Sequence, residues 1–260
     1  MTTSPPPSRP RRIAVAQQKG GTGKTSTAVN LGAALAARGQ TVLLIDVDPQ
    51  ASASAWLARG LADPPFLEQV LAGAVPARDA IRATACPGLS LLPASLALAV
   101  QERRMAGEIG AEQLLAERLA DLDGFDVVLL DAPPELGLLA FNALTAAREV
   151  LVPVVPEPLA LRGLEQLLAT LSTVRRRLNP HLELLGILPF RVQARSRLAR
   201  ASLAALCQGH GADLLASTIR EATAGAAAPA RGLPLALAAP RAPVTRDYDD
   251  LAAEILARAR

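Results

Sequence analysis

The feature that most constrains this chain is a glycine-rich stretch near its start, Gln18-Lys19-Gly20-Gly21-Thr22-Gly23-Lys24-Thr25. It follows a short apolar run over residues 13–16 and precedes a helical pattern over residues 26–38. A strand, a glycine-rich loop and a helix in this order form the context that a phosphate-binding loop requires. Glycines let backbone N–H groups turn towards a phosphate, and the N-terminus of the next helix adds unpaired donors and a favourable dipole.

The side chains of this loop have separate expected roles. Lys24 is expected to contact the β- and γ-phosphates of a nucleotide, and the Thr25 hydroxyl to ligate Mg²⁺. The loop departs from the general G-x-x-x-x-G-K-T pattern, because Gln18 replaces its first glycine and Lys19 precedes a glycine pair. We predict that the nucleotide-binding residues are Lys19, Gly20, Gly21, Thr22, Gly23, Lys24, Thr25 and Ser26.

Lysine usage supports this prediction. The chain holds 27 lysine and arginine residues, and Lys19 and Lys24 are its two lysines. All the other residues of this set are arginines. A compact ammonium retained at these two positions indicates that a planar guanidinium would not serve there.

Two later strands are predicted to end in aspartate. Residues 41–45 form an apolar run of the kind that parallel sheets bury on both faces, and Asp46 and Asp48 follow it. Residues 127–130 are four aliphatic residues, followed by Asp131. Ligands of open α/β sheets bind at the carboxyl ends of strands, so we expect all three carboxylates to face the nucleotide. A strand that ends in this way is typical of a carboxylate that holds Mg²⁺, usually through water.

The loop variant KGGxGKT is the deviant Walker A motif. Together with the D-x-D-P-Q segment at residues 46–50, it makes the sequence resemble the ParA/MinD family of ATPases, above all its ParA-type, Soj-like partition members. The resemblance implies that Asp46 lies near the Mg²⁺ shell and that Asp48 orients the water that attacks the γ-phosphate. It implies an ATP-dependent homodimer in which Lys19 reaches the partner's phosphates, as an arginine finger does. The implied catalytic residues are Lys19, Lys24 and Asp48, and the implied metal site comprises Thr25, Asp46 and Asp131.

Regular alternation of strand and helix patterns predicts one α/β domain over residues 12–260, of the P-loop NTPase type. Its sheet is expected to be doubly wound, mostly parallel and flanked by helices. Residues 1–11 are rich in proline and basic, which indicates a disordered tail and not a signal peptide. The longest uncharged run, residues 83–101, is interrupted by proline and glycine. We therefore expect a cytoplasmic protein, and the resemblance to partition ATPases implies that it associates with the nucleoid.

Arginines in the last third of the chain predict a contact with DNA. Residues 190–200 contain no acidic residue, and members of the family that bind DNA without sequence preference use basic residues in this part. Arginine contacts to phosphate are salt-dependent and independent of sequence. The segment 219–234 resembles a late loop of the family but is filled with alanine. The candidate DNA-binding residues are Arg191, Arg195, Arg197, Arg200 and Arg220.

Three functions remain open at this stage. The first is a partition ATPase that binds nucleoid DNA and positions a chromosome, a plasmid or a protein cargo with a ParB-like or other stimulating partner. The second is a MinD-like ATPase that cycles on membranes, for which residues 249–260 would be a poor anchor because they begin acidic and contain no aromatic residue. The third is a metabolic enzyme on the same scaffold, such as an ATP-dependent amidoligase or the nitrogenase iron protein. Cys86 and Cys207 show no metal-ligand spacing.

Overall fold

The computed structural model describes residues 10–57, 63–157, 160–193 and 196–258. Its centre is an eight-stranded sheet in which only the pair at one edge is antiparallel. This confirms the predicted doubly wound, mostly parallel α/β fold. The strand order is β3-β4-β2-β5-β1-β6-β7-β8. In chain order the strands are β1 (Arg11–Val15), β2 (Val42–Asp46), β3 (Arg82–Ala83), β4 (Leu89–Leu92), β5 (Val127–Asp131), β6 (Glu149–Val154), β7 (Glu183–Val192) and β8 (Ile219–Arg220).

Helices cover both faces of the sheet. The α-helices are α1 (Lys24–Ala37), α2 (Ser52–Leu57), α3 (Leu67–Leu71), α4 (Ala77–Ala80), α5 (Leu98–Met105), α6 (Leu114–Arg118), α7 (Leu138–Ala146), α8 (Ala160–Arg177), α9 (Arg197–His210), α10 (Thr223–Arg231), α11 (Leu235–Ala238) and α12 (Pro243–Ala257). A 3₁₀ helix, η1 (Ala111–Gln113), precedes α6.

The core divides between the two faces. Alternate strand residues belong to different hydrophobic clusters, because successive side chains of a strand point to opposite faces. Ile13 and Val15 pack with α1, α2 and α10–α12, whereas Ala14 packs with α3 and α5–α9. This explains why the central strands are apolar throughout: both of their faces are buried.

The strand order places β1 between β5 and β6, and β2 on the far side of β5. The chain therefore leaves β1 in one direction, through α1 to β2, and later builds the other half of the sheet from β6 onwards. In the β2–β5 register Asp46 pairs with Asp131, and in the β1–β5 register Val15 also pairs with Asp131. The residues that follow these strand ends consequently meet at one edge of the sheet, beside the point where the order reverses.

Two segments differ from their sequence-based description. Arg11, counted there with the tail, is the first residue of β1, because its backbone pairs with β5 and its N–H donates to the Asp126 carbonyl at 2.9 Å. Its guanidinium also pairs with the Glu149 carboxylate at the start of β6. Residues 1–9, the rest of the predicted tail, lie outside the described residues. The alanine-rich part of the expected late loop is helical: α10 occupies residues 223–231. Alanine is the strongest helix former, and there this propensity outweighs the internal glycine and proline.

Candidate functional site: a nucleotide cradle at the carboxyl ends of β1, β2 and β5

The glycine-rich loop connects β1 to α1 as an open cradle. Gly21 and Gly23 have φ angles of 75° and 87°, in the left-handed region that favours glycine. A Cβ atom on Gly20 or Gly21 would meet nothing within 4 Å, so the backbone of the loop borders open space. A Cβ atom on Gly23 would lie 2.2 Å from a carbon of the Phe190 ring, so glycine is required there by close packing as well as by φ.

Lys24 is buried at the first residue of α1. Its ammonium Nζ lies 3.4 Å from the carbonyl oxygen of Lys19, which also accepts a hydrogen bond from the Thr22 hydroxyl at 3.0 Å. Burial lowers the pKa of Lys24, and the nearby carboxylates of Asp131 and Asp48 act in the opposite direction. A partly desolvated ammonium at the floor of a glycine cradle is suited to neutralise the charge of a polyphosphate.

A cavity of about 990 Å³ extends from this cradle. Its lining combines the loop, Thr25 and Asp48 with apolar and aromatic side chains. Polar groups beside apolar surface fit the phosphates and the base of a nucleotide. The apolar and aromatic lining residues include Phe190, Ile219, Ala222, Leu235, Val244 and Tyr248.

Asp131 is the residue of the site that most clearly lacks a partner. Both of its carboxylate oxygens are buried, and no described residue donates a well-formed hydrogen bond to either of them. Burial raises its pKa well above the usual range, the charge of Asp46 adds to this, and the nearby Thr25 hydroxyl opposes it. A buried carboxylate without donors is chemically suited to a cation, because a divalent ion supplies the missing compensation.

These residues fit Mg²⁺ that is shared with a bound nucleotide. Among the described residues there is no group of three histidine, cysteine or acidic side chains that could hold a metal ion by itself. Mg²⁺ is usually bound through one or two carboxylates, several waters and the phosphates of the substrate. Thr25 and Asp131, next to the cradle, match that limited donor set.

Asp46 lies beside Asp131 but is already engaged by its own chain. One oxygen accepts hydrogen bonds from the backbone N–H and the hydroxyl of Ser54, at 2.8 and 2.7 Å, and the other accepts one from the Asp48 N–H at 3.2 Å. Burial raises the pKa of Asp46 to about 6, although these hydrogen bonds lower it. Asp46 therefore orders the loop after β2, and of the two buried aspartates Asp131 is the one with unpaired oxygens.

Asp48 lines the cavity at the end of that loop. Its Oδ1 atom accepts a hydrogen bond from the Gln50 N–H at 2.8 Å, which fixes the orientation of the carboxylate. Ala51, which follows Gln50, has a φ of 51° that non-glycine residues rarely adopt. The loop thus adopts a strained turn that directs Asp48 towards the phosphate cradle.

Lys19 differs from Lys24 in both environment and direction. Its ammonium is 2.6 Å from the Glu157 carboxylate, and the two side chains are about half exposed, at 57% and 50%. Ser26, at the start of α1, lines the cavity, whereas Lys19 is not among its lining residues. Of the two lysines in the loop, one is therefore inside the cradle and the other is on the surface at its rim.

The arginine candidates separate into paired and exposed residues. Arg191 pairs with Glu221 at 2.8 Å, so an acidic residue distant in sequence does lie beside the predicted cluster. Arg220 makes two hydrogen bonds to the buried carboxylate of Asp247. Arg197 and Arg200 are exposed on the first turn of α9 without a described ion pair, and Arg195 lies outside the described residues.

Three residues of this region were not identified from the sequence. Ser54 contacts Asp46, and Phe190 packs against the cradle glycine. Asn142 is fully buried and bonds to Leu115 and Ala111, so it joins α7 to η1 and α6. A serine in an Ala/Ser-rich segment and a phenylalanine at a strand end carry no signal by themselves.

The chain is similar in sequence and fold to several known proteins. An AAA-domain profile matches residues 10–184. The chain is 43% identical to the chromosome-partitioning ATPase Soj of Thermus thermophilus over 95% of its own length and 96% of that protein. It is 37% identical to the chromosome partitioning protein ParA of Caulobacter vibrioides, with 96% and 95% covered. A crystal structure titled cobyrinic acid a,c-diamide synthase from Mycobacterium smegmatis, with bound ATP analog and magnesium, superposes with a TM-score of 0.84 at 36% identity, covering 95% of this chain and 94% of that one.

Proposed function

Because the chain belongs to the Soj/ParA family of ATPases, we propose that it is a partition ATPase. In this proposal its ATP-bound form is a homodimer that binds DNA without sequence preference and positions a chromosome, a plasmid or a protein cargo. A ParB-like or other partner protein stimulates hydrolysis and so releases the dimer from DNA. The protein would then act in the cytoplasm, on the nucleoid.

One observation carries this proposal: the two lysines of the cradle are divided between its inside and its rim. Lys24 is buried where the phosphates of the chain's own nucleotide would lie. Lys19 extends from the same loop into solvent, held by an exposed ion pair that contributes little stability and exchanges easily. A second lysine that does not face its own cavity is available to a nucleotide held by another protomer.

The described residues have complementary tasks in hydrolysis. Backbone N–H groups of the loop and the Lys24 ammonium bind the phosphates of ATP. Thr25 and Asp131 would hold Mg²⁺, which neutralises charge that develops on the transferring group. Asp48 orients the attacking water, and Lys19 of a second protomer supplies the charge that an arginine finger supplies elsewhere. Because that charge arrives in trans, turnover should depend on dimerisation and be slow in an isolated chain.

The exposed end of α9 is the surface that we propose for DNA. Arg197 and Arg200 lie on the same turn without a described ion pair, whereas Arg191 and Arg220 are held by carboxylates within the chain. Each phosphate that the protein neutralises lowers log K by about 0.9 per unit of log salt. Two protomers double the number of such contacts, which makes DNA binding depend on ATP.

The experiment is a DNA mobility shift with ATP and Mg²⁺ at several salt concentrations. Removing Arg197 and Arg200 as a double alanine variant should weaken binding to unrelated duplexes equally and flatten the salt dependence. The matched control is the double alanine variant of Arg175 and Arg176, exposed arginines in the last turn of α8 that carry the same total charge. Equal losses in both variants, or no shift by the parent protein at low salt, would contradict the proposed surface.

The membrane-cycling alternative is less compatible with the last helix. The apolar face of the segment considered as an anchor belongs to α12, where Leu251 and Ile255 are 0% and 1% exposed and pack in the core beside α1. A side chain that completes the core is not available to insert into a lipid surface. No helix in the described ranges is long and apolar enough to cross a membrane. Co-sedimentation with anionic vesicles in the presence of ATP would detect this alternative.

An amidoligase function is the second candidate, because of the M. smegmatis structure. An enzyme that takes nitrogen from glutamine requires a nucleophilic cysteine with a lowered pKa. Burial raises the pKa of Cys86, which is the direction opposite to the one that such a nucleophile requires. ATP turnover that rises with DNA supports partition, whereas turnover that rises only with glutamine and a carboxylic acid substrate supports the amidoligase.

A further inference from the structure

The loop that carries Asp48 is held through the carboxylate of Asp46. The Asp48 N–H donates to one oxygen of Asp46, and both donors of Ser54 bond to the other. Asp46 is 0% exposed and Ser54 is 6% exposed, so water does not compete for these bonds. The position of Asp48 therefore depends on a buried carboxylate whose own orientation depends on Ser54.

The Ser54 hydroxyl also connects this carboxylate to a neighbouring strand. It accepts a hydrogen bond from the Ala94 N–H at 2.8 Å, just after β4, while it donates to Asp46 at 2.7 Å. The Ser54 hydroxyl has one proton, and its oxygen already accepts the Ala94 N–H, so the proton is directed to the Asp46 carboxylate. Ser54 thereby joins the ends of β2 and β4 to the first turn of α2.

The backbone of Ser54 strengthens the same arrangement. Its N–H belongs to the first turn of α2, where backbone donors have no partner within the helix. Asp46 accepts this N–H at 2.8 Å and takes the place of a capping residue from outside the helix. Any shift of α2 is consequently transmitted to Asp46, and through it to the Asp48 backbone.

We propose that Ser54 is a positioning residue for hydrolysis: it fixes Asp46, and Asp46 fixes the water-orienting Asp48. This inference rests on the role proposed above for Asp48. Removal of the hydroxyl leaves an oxygen of Asp46 with one donor fewer and leaves the Ala94 N–H without its acceptor, both in a buried place. The phosphate cradle, which belongs to the β1–α1 connection, keeps all of its own contacts.

The test compares turnover with nucleotide affinity. Ser54→Ala should lower kcat by roughly 30-fold or more, because small displacements of a positioned group have effects of this size. The Kd for a fluorescent ATP analogue should remain within about threefold of the parent value, which is less than 1 kcal/mol. Ser54→Thr retains a hydroxyl and should recover most of the lost kcat, which a purely structural role would not produce.

Thr145→Ala is the matched control. Thr145 is a partly buried hydroxyl, bonded to the carbonyl oxygens of Phe141 and Asn142 on α7, away from the cavity. It should lower the unfolding temperature without changing kcat. A Ser54→Ala protein that turns over like the parent, or whose kcat and affinity fall together and are not restored by threonine, overturns the inference.

The failure of this inference is distinguishable from that of the proposed function. Asp48→Ala is measured in the same assay. Full turnover by Asp48→Ala removes the role of Asp48 and the inference with it. Lost turnover in Asp48→Ala, with normal turnover in Ser54→Ala, overturns the role of Ser54 alone. Should Ser54→Ala not fold, Ser54→Cys replaces it, since sulfur keeps the approximate volume but donates weakly.

Discussion

At the scale of single residues, the floor of the cavity is a balance of buried charges. Lys24 is an ammonium with a lowered pKa, and Asp131 and Asp46 are carboxyls with raised pKa values, in each case because burial is the largest cause. Such groups are unfavourable for folding but ready for a ligand of the appropriate charge. The site is therefore a place where stability and function are expected to oppose each other.

Lys24→Ala should abolish ATP binding. The variant loses the only buried ammonium described at the cradle, and the phosphates lose their main counter-charge. We expect the affinity for ATP to fall by at least about 100-fold, which corresponds to ~3 kcal/mol. Equilibrium titration with a fluorescent ATP analogue measures this, with Lys19→Ala as the control that retains affinity. Near-parental affinity of Lys24→Ala would contradict the phosphate-binding assignment.

Asp131→Asn should make the nucleotide-free protein more stable at neutral pH. A raised carboxyl pKa means that the folded state binds more protons than the unfolded state, so wild-type stability falls as pH rises above the unfolded pKa of about 4. Asparagine avoids this loss. We expect the free energy of unfolding to rise by about 1–3 kcal/mol at pH 7.5, and this difference should shrink towards pH 4. Urea unfolding at both pH values measures the difference.

Asp126→Asn is the control for that experiment, and its effect on stability should have the opposite sign. Asp126 accepts hydrogen bonds from the N–H and the hydroxyl of Thr41, and these bonds lower its pKa. Its contribution to stability is present above the unfolded pKa and is lost as pH falls through the folded pKa. Asp126→Asn should therefore reduce stability at pH 7.5. An Asp131→Asn protein less stable than the parent at pH 7.5 would show that its carboxylate is compensated within the chain.

At the scale of elements, the cavity is formed where strand ends meet helices that arrive late in the chain. Trp56 on α2 donates to the Leu233 carbonyl, and Asn30 on α1 accepts from the Leu235 N–H, so the early helices hold the segment that closes the apolar end. The Tyr248 phenol on α12 is buried against the same helices, and burial raises its pKa. The helices α10–α12 thus contribute to the nucleotide cavity as well as to the core.

Ala51→Gly should stabilise the turn between β2 and α2. Ala51 has a φ of 51°, and a left-handed conformation costs about 1–2 kcal/mol for a residue with a Cβ atom. The greater freedom of glycine in the unfolded chain offsets part of this, which leaves a gain of about 0.5–1 kcal/mol. Ala55→Gly, on the exposed side of α2, is the control and should destabilise by about 1 kcal/mol. Thermal unfolding of both variants compares their stabilities, and destabilisation by Ala51→Gly would contradict the backbone strain inferred at residue 51.

The sequence predicted the central strands and the glycine cradle from local signals. Continuous apolar runs identified the central strands, and glycines between a strand and a helix identified the cradle. The sequence did not reveal the ion pairs between residues that are distant along the chain, such as Lys19 with Glu157 and Arg220 with Asp247. The segment 219–234 was expected to be a loop because it resembles a late loop of the family, whereas alanine propensity and the packing of Ala228 in the core favour a helix over residues 223–231.

At the scale of the whole molecule, the account requires two copies of the chain. In the proposed function the cradle of one protomer holds its own phosphates through Lys24, while the Lys19 ammonium lies at the rim, paired with the exposed Glu157 carboxylate. A net charge of +3 permits approach to DNA without a strongly basic surface, so the proposal assigns DNA affinity to a few arginines and to their duplication in a dimer. Under this proposal, dimerisation with ATP is the step that connects the nucleotide site to DNA.

The most direct measurement is the mass of the Asp48→Ala protein by light scattering, with Mg²⁺ and either ATP or ADP. This variant should bind ATP without hydrolysing it, so its dimer should persist. With ATP we expect a mass near twice the 27.0 kDa of one chain, and with ADP the mass of one chain. Adding Lys19→Ala to the variant should return the ATP sample to the single-chain mass. A single-chain mass for Asp48→Ala at saturating ATP would contradict the account.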